Sequence, residues 1–132
     1  MGVATGKTVL FADDEESMRK VLERRLTAWG CRPIAATNSL DAVRLARERR
    51  PDLILLDDTM PGLTGLAACH QLKLGEDTRH IPVLVLTARD SRTLAAEVRT
   101  AGADGFLQKP FEFTELLQLI EGALAQPQPL RS

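Results

Sequence analysis

The stretch PDLILLDDTMPG, residues 51–62, joins the pattern of a buried strand to two adjacent acids. Residues 53–56 are all apolar, Asp57 and Asp58 follow at once, and a Pro-Gly turn signal closes the stretch. A short apolar run without polar alternation is typical of a parallel strand that is covered on both faces of its sheet. Because an unpaired carboxylate is costly in such a core, the stretch indicates a central strand whose end carries chemistry.

The composition is that of one globular domain with almost no net charge. The chain has 132 residues, 44% of them hydrophobic and 27% charged, with 17 basic against 18 acidic side chains. This length suits a single domain with a proper core. The balanced charge gives no basic footprint for direct nucleic acid binding and no polybasic signal for a membrane surface.

Short apolar runs and ordinary cysteine usage predict a cytoplasmic protein. No apolar run approaches the ~20 residues of a membrane-spanning helix, and no secretory signal pattern opens the sequence. Cys31 and Cys69 form no CxxC pair. We therefore expect two reduced thiols rather than a disulfide.

Apolar runs alternate five times with segments of helical periodicity. The alternation predicts an α/β domain, a doubly wound parallel sheet with right-handed crossovers. Gly30, Pro51 and Gly102 are the stop signals of three of the helices. The predicted strands are residues 8–12, 32–36, 52–57, 82–87 and 105–108, and the predicted helices are 15–29, 38 or 39 to 49, 66–74, 91–101 and 113–124.

Polar side chains follow the strands at the edge where open parallel sheets bind ligands, beyond the carboxyl ends of the strands. Clustered carboxylates raise one another's pKa values unless a cation is present. Hard oxygen ligands suit Mg²⁺, which keeps several waters and favours a phosphate as co-ligand. The groups at the ends of strands one, three, four and five are Asp13 and Asp14, Asp57 and Asp58, Thr87, and Lys109.

Each of these groups also has an ordinary structural explanation. Asp13 or Asp14 could cap the helix that follows, as acids often do. Thr87 could bind backbone at a strand end, and Lys109 could be a solvated surface amine. Four such groups at one edge of one sheet are hard to obtain by chance, and together they favour a site.

Four motifs in this order resemble the receiver domain of bacterial two-component response regulators. They are VLFADDEES at 9–17, PDLILLDDTMPGLTG at 51–65, IPVLVLTA at 81–88 and GADGFLQKPF at 102–111. The match covers roughly residues 7–125, so residues 126–132 are predicted to be a tail or the start of a linker. The resemblance implies a flavodoxin-like fold, a five-stranded parallel sheet in order 2-1-3-4-5 with five helices.

The resemblance also implies a phosphoacceptor and a metal site. Asp57 corresponds to the acid that receives the phosphoryl group. Asp14 corresponds to a direct metal ligand and Asp13 to a neighbour that acts partly through water. Asp57 and the backbone carbonyl of Thr59 complete the implied ligands, and the implied ion is Mg²⁺, with Mn²⁺ as an alternative.

The remaining motif residues carry the implied switch. Thr87 corresponds to the hydroxyl that moves towards the phosphoryl group, and Lys109 to the lysine that pairs with a phosphoryl oxygen. The Lys109–Pro110 peptide bond is cis in the family, and X-Pro bonds are where cis is least costly. Phe106 stands where the family has its aromatic switch residue.

The implied function is signal transduction rather than turnover of a separate substrate. A sensor histidine kinase or a histidine phosphotransfer protein would donate the phosphoryl group, and the chain would catalyse only its own phosphorylation and dephosphorylation. The output partner or effector domain cannot be identified from these residues. The alternatives are a pseudo-receiver that binds partners constitutively and an FMN-binding flavodoxin, which would need a Ser/Thr/Gly-rich loop after the first strand.

Two residues depart from the family pattern. Asp58 stands where an apolar residue is usual, and we expect it in the turn, facing away from the metal and not acting as a second nucleophile. Phe106 replaces the usual tyrosine, which leaves packing but no hydroxyl as the switch signal. Thr59 and Arg89 occupy positions that tune hydrolysis in the family, so the lifetime of the phosphoryl group does not carry over.

Overall fold

A computed structural model describes residues 2–60 and 62–125 of the chain. The predicted tail, residues 126–132, lies outside this part. Over the described residues, strands and helices alternate as the sequence predicts, and element ends differ from the predicted ones by at most one residue. The elements are β1 Thr8–Ala12, α1 Glu16–Ala28, β2 Arg32–Ala36, α2 Ser39–Arg49, β3 Leu53–Asp57, α3 Gly65–Leu74, β4 Val83–Thr87, α4 Ser91–Ala101, β5 Gly105–Gln108 and α5 Phe113–Ala125.

The strands form one parallel sheet in the order β2-β1-β3-β4-β5, which confirms the fold that the resemblance implies. The order changes direction between β1 and β3, where open sheets of this kind have their binding crevice. Ala12 pairs with Leu56 across these two strands, so Asp13 and Asp57 come next to each other. Asp57 in turn pairs with Leu86, which puts Asp58 level with Thr87.

The core lies on both faces of the two central strands. Every residue of β3 and of β4 is buried, which explains their unbroken apolar runs. One apolar cluster packs α2 and α3 on one face, and a second packs α1 and α5 on the other. These clusters hold the carboxyl ends of β3 and β4 in fixed positions.

Both cysteines are buried free thiols, as expected. They lie on opposite faces of the sheet, since Cys69 belongs to one apolar cluster and Cys31 to the other. Burial raises the pKa of the Cys69 thiol to about 11. This thiol is therefore protonated at neutral pH and has little reactivity as a nucleophile.

The starts of α2 and α3 are stabilised by hydrogen bonds to the side chain of the preceding residue. Asn38 accepts a hydrogen bond from the Asp41 N–H, and Thr64 accepts one from the Ala67 N–H, at the starts of α2 and α3. These are standard N-cap contacts. None of the helices in the described ranges is both long and apolar enough to cross a membrane.

Candidate functional site

Three carboxylates meet at the carboxyl ends of β1 and β3. One oxygen from each of Asp13, Asp14 and Asp57 lies within 4.8 Å of the others. Asp13 and Asp57 are buried, whereas Asp14 is exposed. The strand register accounts for the cluster because it places the residues that follow β1 beside the last residue of β3.

The Asp57 side chain is held by one of its two oxygens. Oδ1 accepts hydrogen bonds from Nζ of Lys109 at 3.2 Å and from N and Oγ1 of Thr59 at 3.3 and 3.2 Å. Among the described residues, every hydrogen bond to this carboxylate ends on Oδ1. Asp57 is only 2% exposed, so its orientation is set by these partners, while Oδ2 has no hydrogen-bond partner within residues 2–60 and 62–125.

The surroundings of Asp13 disfavour the negative charge of its carboxylate. Burial raises the pKa of Asp13, and the charge of Asp57 raises it further. The Glu15 N–H, which donates to Asp13 Oδ1 at 2.9 Å, and the Lys109 ammonium oppose this rise in pKa. One lysine against three acids leaves excess negative charge, and a bound cation relieves such an excess.

Asp13 makes a turn contact just before α1, not the helix cap that the sequence allowed, since the N-cap residue of α1 is Glu15. Its carboxylate accepts the Glu15 N–H directly before α1, and Glu15 itself makes no side-chain cap. The backbone carbonyl of Asp13 accepts a hydrogen bond from Arg19 Nη1 at 2.7 Å. The cap explanation for Asp13 is therefore wrong: the Glu15 N–H holds one of its carboxylate oxygens in a turn, and the residue belongs to the acid cluster.

Lys109 reaches the cluster from the end of β5. Its backbone N–H donates to the Thr87 carbonyl at 2.6 Å, which ties the ends of β4 and β5 together. The Lys109–Pro110 peptide bond is cis. The ammonium group is partly buried, with 24% of the side chain exposed, so its attraction to Asp57 is less screened than that of a surface pair.

Thr87 is fully buried and its hydroxyl contacts Asp58, not Asp57. The hydroxyl donates to Asp58 Oδ2 at 3.3 Å and accepts the Arg89 N–H at 3.0 Å. Asp58 lies in the turn after β3, as expected, and is absent from the acid cluster. The sequence gives no sign of its contact with Thr87.

Arg89, named above as a position that tunes hydrolysis in the family, makes contacts that the sequence did not predict. Its Nη1 lies 3.4 Å from Asp58 Oδ2, and its other guanidinium nitrogen pairs with Glu97 of α4. Arg89 therefore joins the turn after β3 to α4. The fold brings the loops of Arg89 and Asp58 together, so no local sequence motif predicts their pairing.

Gly65, the first residue of α3, packs directly on the backbone of the acid-bearing turn. A Cβ at this position would lie 2.6 Å from the Asp57 carbonyl oxygen and 2.9 Å from the Asp58 Cα. Real Cβ atoms do not come so close to a carbonyl oxygen, so only glycine fits here without moving the turn. The Gly65 N–H also faces the Asp58 carbonyl, at 3.4 Å.

Phe106 is half-buried on the edge strand of the sheet. It pairs with Val85 across β4 and β5, two positions before Thr87. Its backbone is thus near the strand end that carries the hydroxyl, and the residue is only partly buried.

The donor set of the cluster fits a hard divalent cation. Carboxylate oxygens are the ligands that Mg²⁺ takes from proteins, commonly one or two of them with waters and a phosphate. Asp13, Asp14 and Asp57 can each present one oxygen to the same point. No histidine or thiol is part of the group, which argues against a zinc site.

Curated relatives have the same class of domain. The chain is 39% identical over 122 residues to the response regulator MprA of Mycobacterium leprae and 35% identical over 124 residues to the phosphate regulon regulatory protein PhoB of Pseudomonas aeruginosa. These alignments cover 92% and 94% of this chain but 52% and 54% of the relatives. The chain therefore spans about half the length of the curated relatives that it matches.

Solved structures show the same architecture over nearly the whole chain. The chemotaxis protein CheY4 of Vibrio cholerae superposes with a TM-score of 0.85 at 28% identity, covering 90% of this chain and 99% of that one. The receiver domain of a Pseudomonas aeruginosa sensor histidine kinase gives 0.84 at 29% identity, covering 92% and 100%. That structure has a magnesium ion coordinated in its active site cleft.

The family model for the response regulator receiver domain matches residues 9–121. This range includes the acid cluster, the lysine and the buried hydroxyl described above. The chain therefore belongs to the response regulator receiver domain family.

Proposed function

We propose that the chain accepts a phosphoryl group on Asp57 in a two-component phosphorelay. One observation carries the proposal: a buried carboxylate has one oxygen held by Lys109 and Thr59, while its other oxygen has no hydrogen-bond partner among the described residues. An acid fixed in this way presents a single nucleophilic oxygen. Asp13 and Asp14 each have an oxygen within 4.8 Å of one from Asp57, which supports metal assistance in the transfer.

The proposed transfer starts from a phosphohistidine on a sensor histidine kinase or a histidine phosphotransfer protein. Asp57 Oδ2 attacks phosphorus, an O–P bond forms as the P–N bond breaks, and the electron pair of that bond leaves with the imidazole nitrogen. The Lys109 ammonium stabilises charge on the transferring phosphoryl oxygens. The protein mainly positions groups and neutralises charge, as is usual in phosphoryl transfer.

Asp13, Asp14, Asp57 and the backbone carbonyl of Thr59 would hold the Mg²⁺, for which Mn²⁺ is an alternative. When bound, the ion supplies positive charge that offsets the carboxylates and the phosphoryl oxygens. Without such charge, three acids would repel an incoming phosphate. The donor chemistry of the cluster supports this assignment.

Phosphorylation would be read through Thr87 and Phe106. A phosphoryl group adds about −1.5 to −2 charge at pH 7 and strong acceptor oxygens. We propose that the Thr87 hydroxyl moves to donate to it, and that Phe106 turns inward into the space that Thr87 leaves. Attack by water on phosphorus then releases inorganic phosphate and restores the Asp57 carboxylate, which ends the signal.

The proposed receiver unit is residues 7–125, with 126–132 as a tail or the start of a linker. Because the matched relatives are about twice as long as the aligned part, an output domain or a separate output partner is proposed and not identified. We propose that the exchange takes place in the cytoplasm, where two buried free thiols such as Cys31 and Cys69 are normal.

Labelling with radioactive acetyl phosphate in the presence of Mg²⁺ tests the proposal. Wild type should incorporate acid-stable, base-labile label, and Asp57→Asn should incorporate none. Asp58→Asn is the matched control, because it removes the adjacent buried acid and should still be labelled. A wild-type chain without label would indicate a constitutive interaction domain, and normal labelling of Asp57→Asn would refute the assignment of the phosphoacceptor.

A further inference from the structure

The hydrogen of the Thr87 hydroxyl already has an acceptor in the structure. It is donated to Asp58 Oδ2 at 3.3 Å, while the Arg89 N–H donates to the hydroxyl oxygen at 3.0 Å. A hydroxyl has one hydrogen to donate. Thr87 therefore cannot keep its bond to Asp58 and give the same hydrogen to a phosphoryl oxygen on Asp57.

Asp58 is a costly residue for its place in the fold. It is 4% exposed, and within the described part of the chain its Oδ1 is buried without a hydrogen-bond partner. A buried acceptor that lacks a donor lowers the stability of the fold. Receiver domains usually have an apolar residue at this position, and an apolar residue would not leave a buried oxygen without a partner. The presence of an acid therefore indicates a functional role.

Arg89 extends the contact of Asp58 to a helix. The guanidinium pairs with Asp58 Oδ2 at 3.4 Å and with Glu97 of α4. One carboxylate oxygen thus receives both the Thr87 hydroxyl and a cation that is bound to α4. A change at Thr87 alters the electrostatic balance of the same oxygen that holds Arg89.

We propose that Asp58 is a positioning residue of the switch, which holds the Thr87 hydroxyl away from Asp57 in the unphosphorylated chain. The inference rests on the proposed function. The bond to Asp58 exists in the resting state and is lost in the phosphorylated one, so it biases the equilibrium towards rest. At 3.3 Å it is long for an O–H···O bond, and a charged phosphoryl oxygen outcompetes it.

Beryllofluoride, an anion that occupies the place of a phosphoryl group on a carboxylate, is the probe for this bond. Its half-saturating concentration is measured in Mg²⁺ through the amide NMR signals of Leu86 and Ala88, which flank Thr87. The variants are Asp58→Ala and Asp58→Asn. Both remove the charge of Asp58, but only asparagine keeps an acceptor for the hydroxyl, so their difference isolates the hydrogen bond.

A double-mutant cycle with Thr87→Val separates the bond from general charge effects. Removing a negative charge near Asp57 favours any anion, and it does so whether or not position 87 has a hydroxyl. We expect Asp58→Ala to lower the half-saturating concentration by about three- to fivefold more in the Thr87 background than in the Thr87→Val background, as for one lost hydrogen bond. Asp58→Asn should show a smaller difference between the two backgrounds.

Equal factors in the two backgrounds would overturn the inference and leave phosphorylation of Asp57 intact. If the alanine variant does not fold, Asp58→Leu replaces it, because leucine fills the space without offering an acceptor. A wild-type chain that gives no response to beryllofluoride and no acetyl phosphate label would instead refute the proposed function, and this inference with it.

Discussion

Asp57 and Asp58 are adjacent buried acids, yet the fold turns them towards different partners. Asp57 faces Lys109 and two further carboxylates, whereas Asp58 faces Thr87 and Arg89. Successive residues at the end of a strand point to opposite sides, and in this chain each side has its own cation. The comparison teaches that two neighbouring acids can have separate surroundings: Asp57 belongs to the acid cluster, whereas Asp58 is bonded to the Thr87 hydroxyl, for which we propose the role of switch.

Removal of divalent cations should have the largest effect, and only on the Asp57 side. In EDTA, acetyl phosphate labelling should fall to background, because three carboxylates within 4.8 Å repel an incoming phosphate. Excess Mg²⁺ should restore it. The amide signal of Thr87 should not change in EDTA, since Arg89 already neutralises Asp58; full labelling in EDTA would contradict the metal assignment.

The second-largest effect should come from removing Lys109, which pairs with Asp57, and it should differ from the effect of removing Arg89, which pairs with Asp58. Lys109→Ala should slow labelling by about tenfold or more, as expected when a charge that stabilises the transferring group is lost. Arg89→Ala should change the initial labelling rate by less than about threefold, because Arg89 contacts Asp58 and not the acceptor. The measurement is the initial rate at a fixed acetyl phosphate concentration. The control is Lys20→Ala, which removes a lysine of α1 whose side chain is 68% exposed. Equal slowing in both variants would break the distinction.

Thr87→Ala should separate acceptance of the phosphoryl group from its readout. The variant keeps Asp57 and its partners, so labelling should persist within a few-fold of wild type. The phosphorylation-dependent shifts of the α4 and β5 amide signals should be lost, because no hydroxyl remains to move. The experiment compares NMR spectra with and without beryllofluoride, and a full shift in this variant would rule out coupling through Thr87.

The smallest expected effects are on the free energy of unfolding without metal, and they have opposite signs for changes at Asp13 and at Asp58. Burial raises the pKa of Asp13, so the protonated side chain contributes stability at low pH. This contribution is lost as pH rises through the raised folded-state pKa. At pH 7 Asp13→Asn should therefore increase the free energy of unfolding. Asp58→Asn should decrease it by about 1 kcal/mol, because it weakens the bonds to Arg89 and Thr87. Urea unfolding in EDTA measures both, and equal signs would contradict the comparison.

Much of the fold could be predicted from periodicity and stop signals. Buried parallel strands give unbroken apolar runs, as in residues 83–86, and a helix such as α1 gives a regular apolar stripe. The sheet order did not follow from these patterns and came from the family resemblance. Cys31 and Cys69 as free thiols followed from composition alone, and the structure agrees.

The site was predictable only as a set of strand ends. The approach of Asp13 and Asp57 follows from parallel strands in register, but the contact of Thr87 with Asp58 joins positions 29 residues apart through side-chain directions in two turns. The pairing of Arg89 with Asp58 has no local sequence signal either. The start of α3 was predicted one residue late, at Leu66, because glycine is a poor helix former. Thr64 caps the helix, which therefore begins at Gly65, where nothing larger than glycine fits against Asp57.

The packing of Gly65 on the Asp57 carbonyl has a consequence for how such chains are compared. A methyl group at this position would displace the turn that aims the proposed nucleophile, although every acid, the lysine and the hydroxyl would still be present. A comparison based only on the charged residues would therefore predict that such a chain can still accept a phosphoryl group. In this fold, loss of signalling can therefore arise at an uncharged residue that touches no substrate, and a survey for silent receivers has to include the first residue of α3.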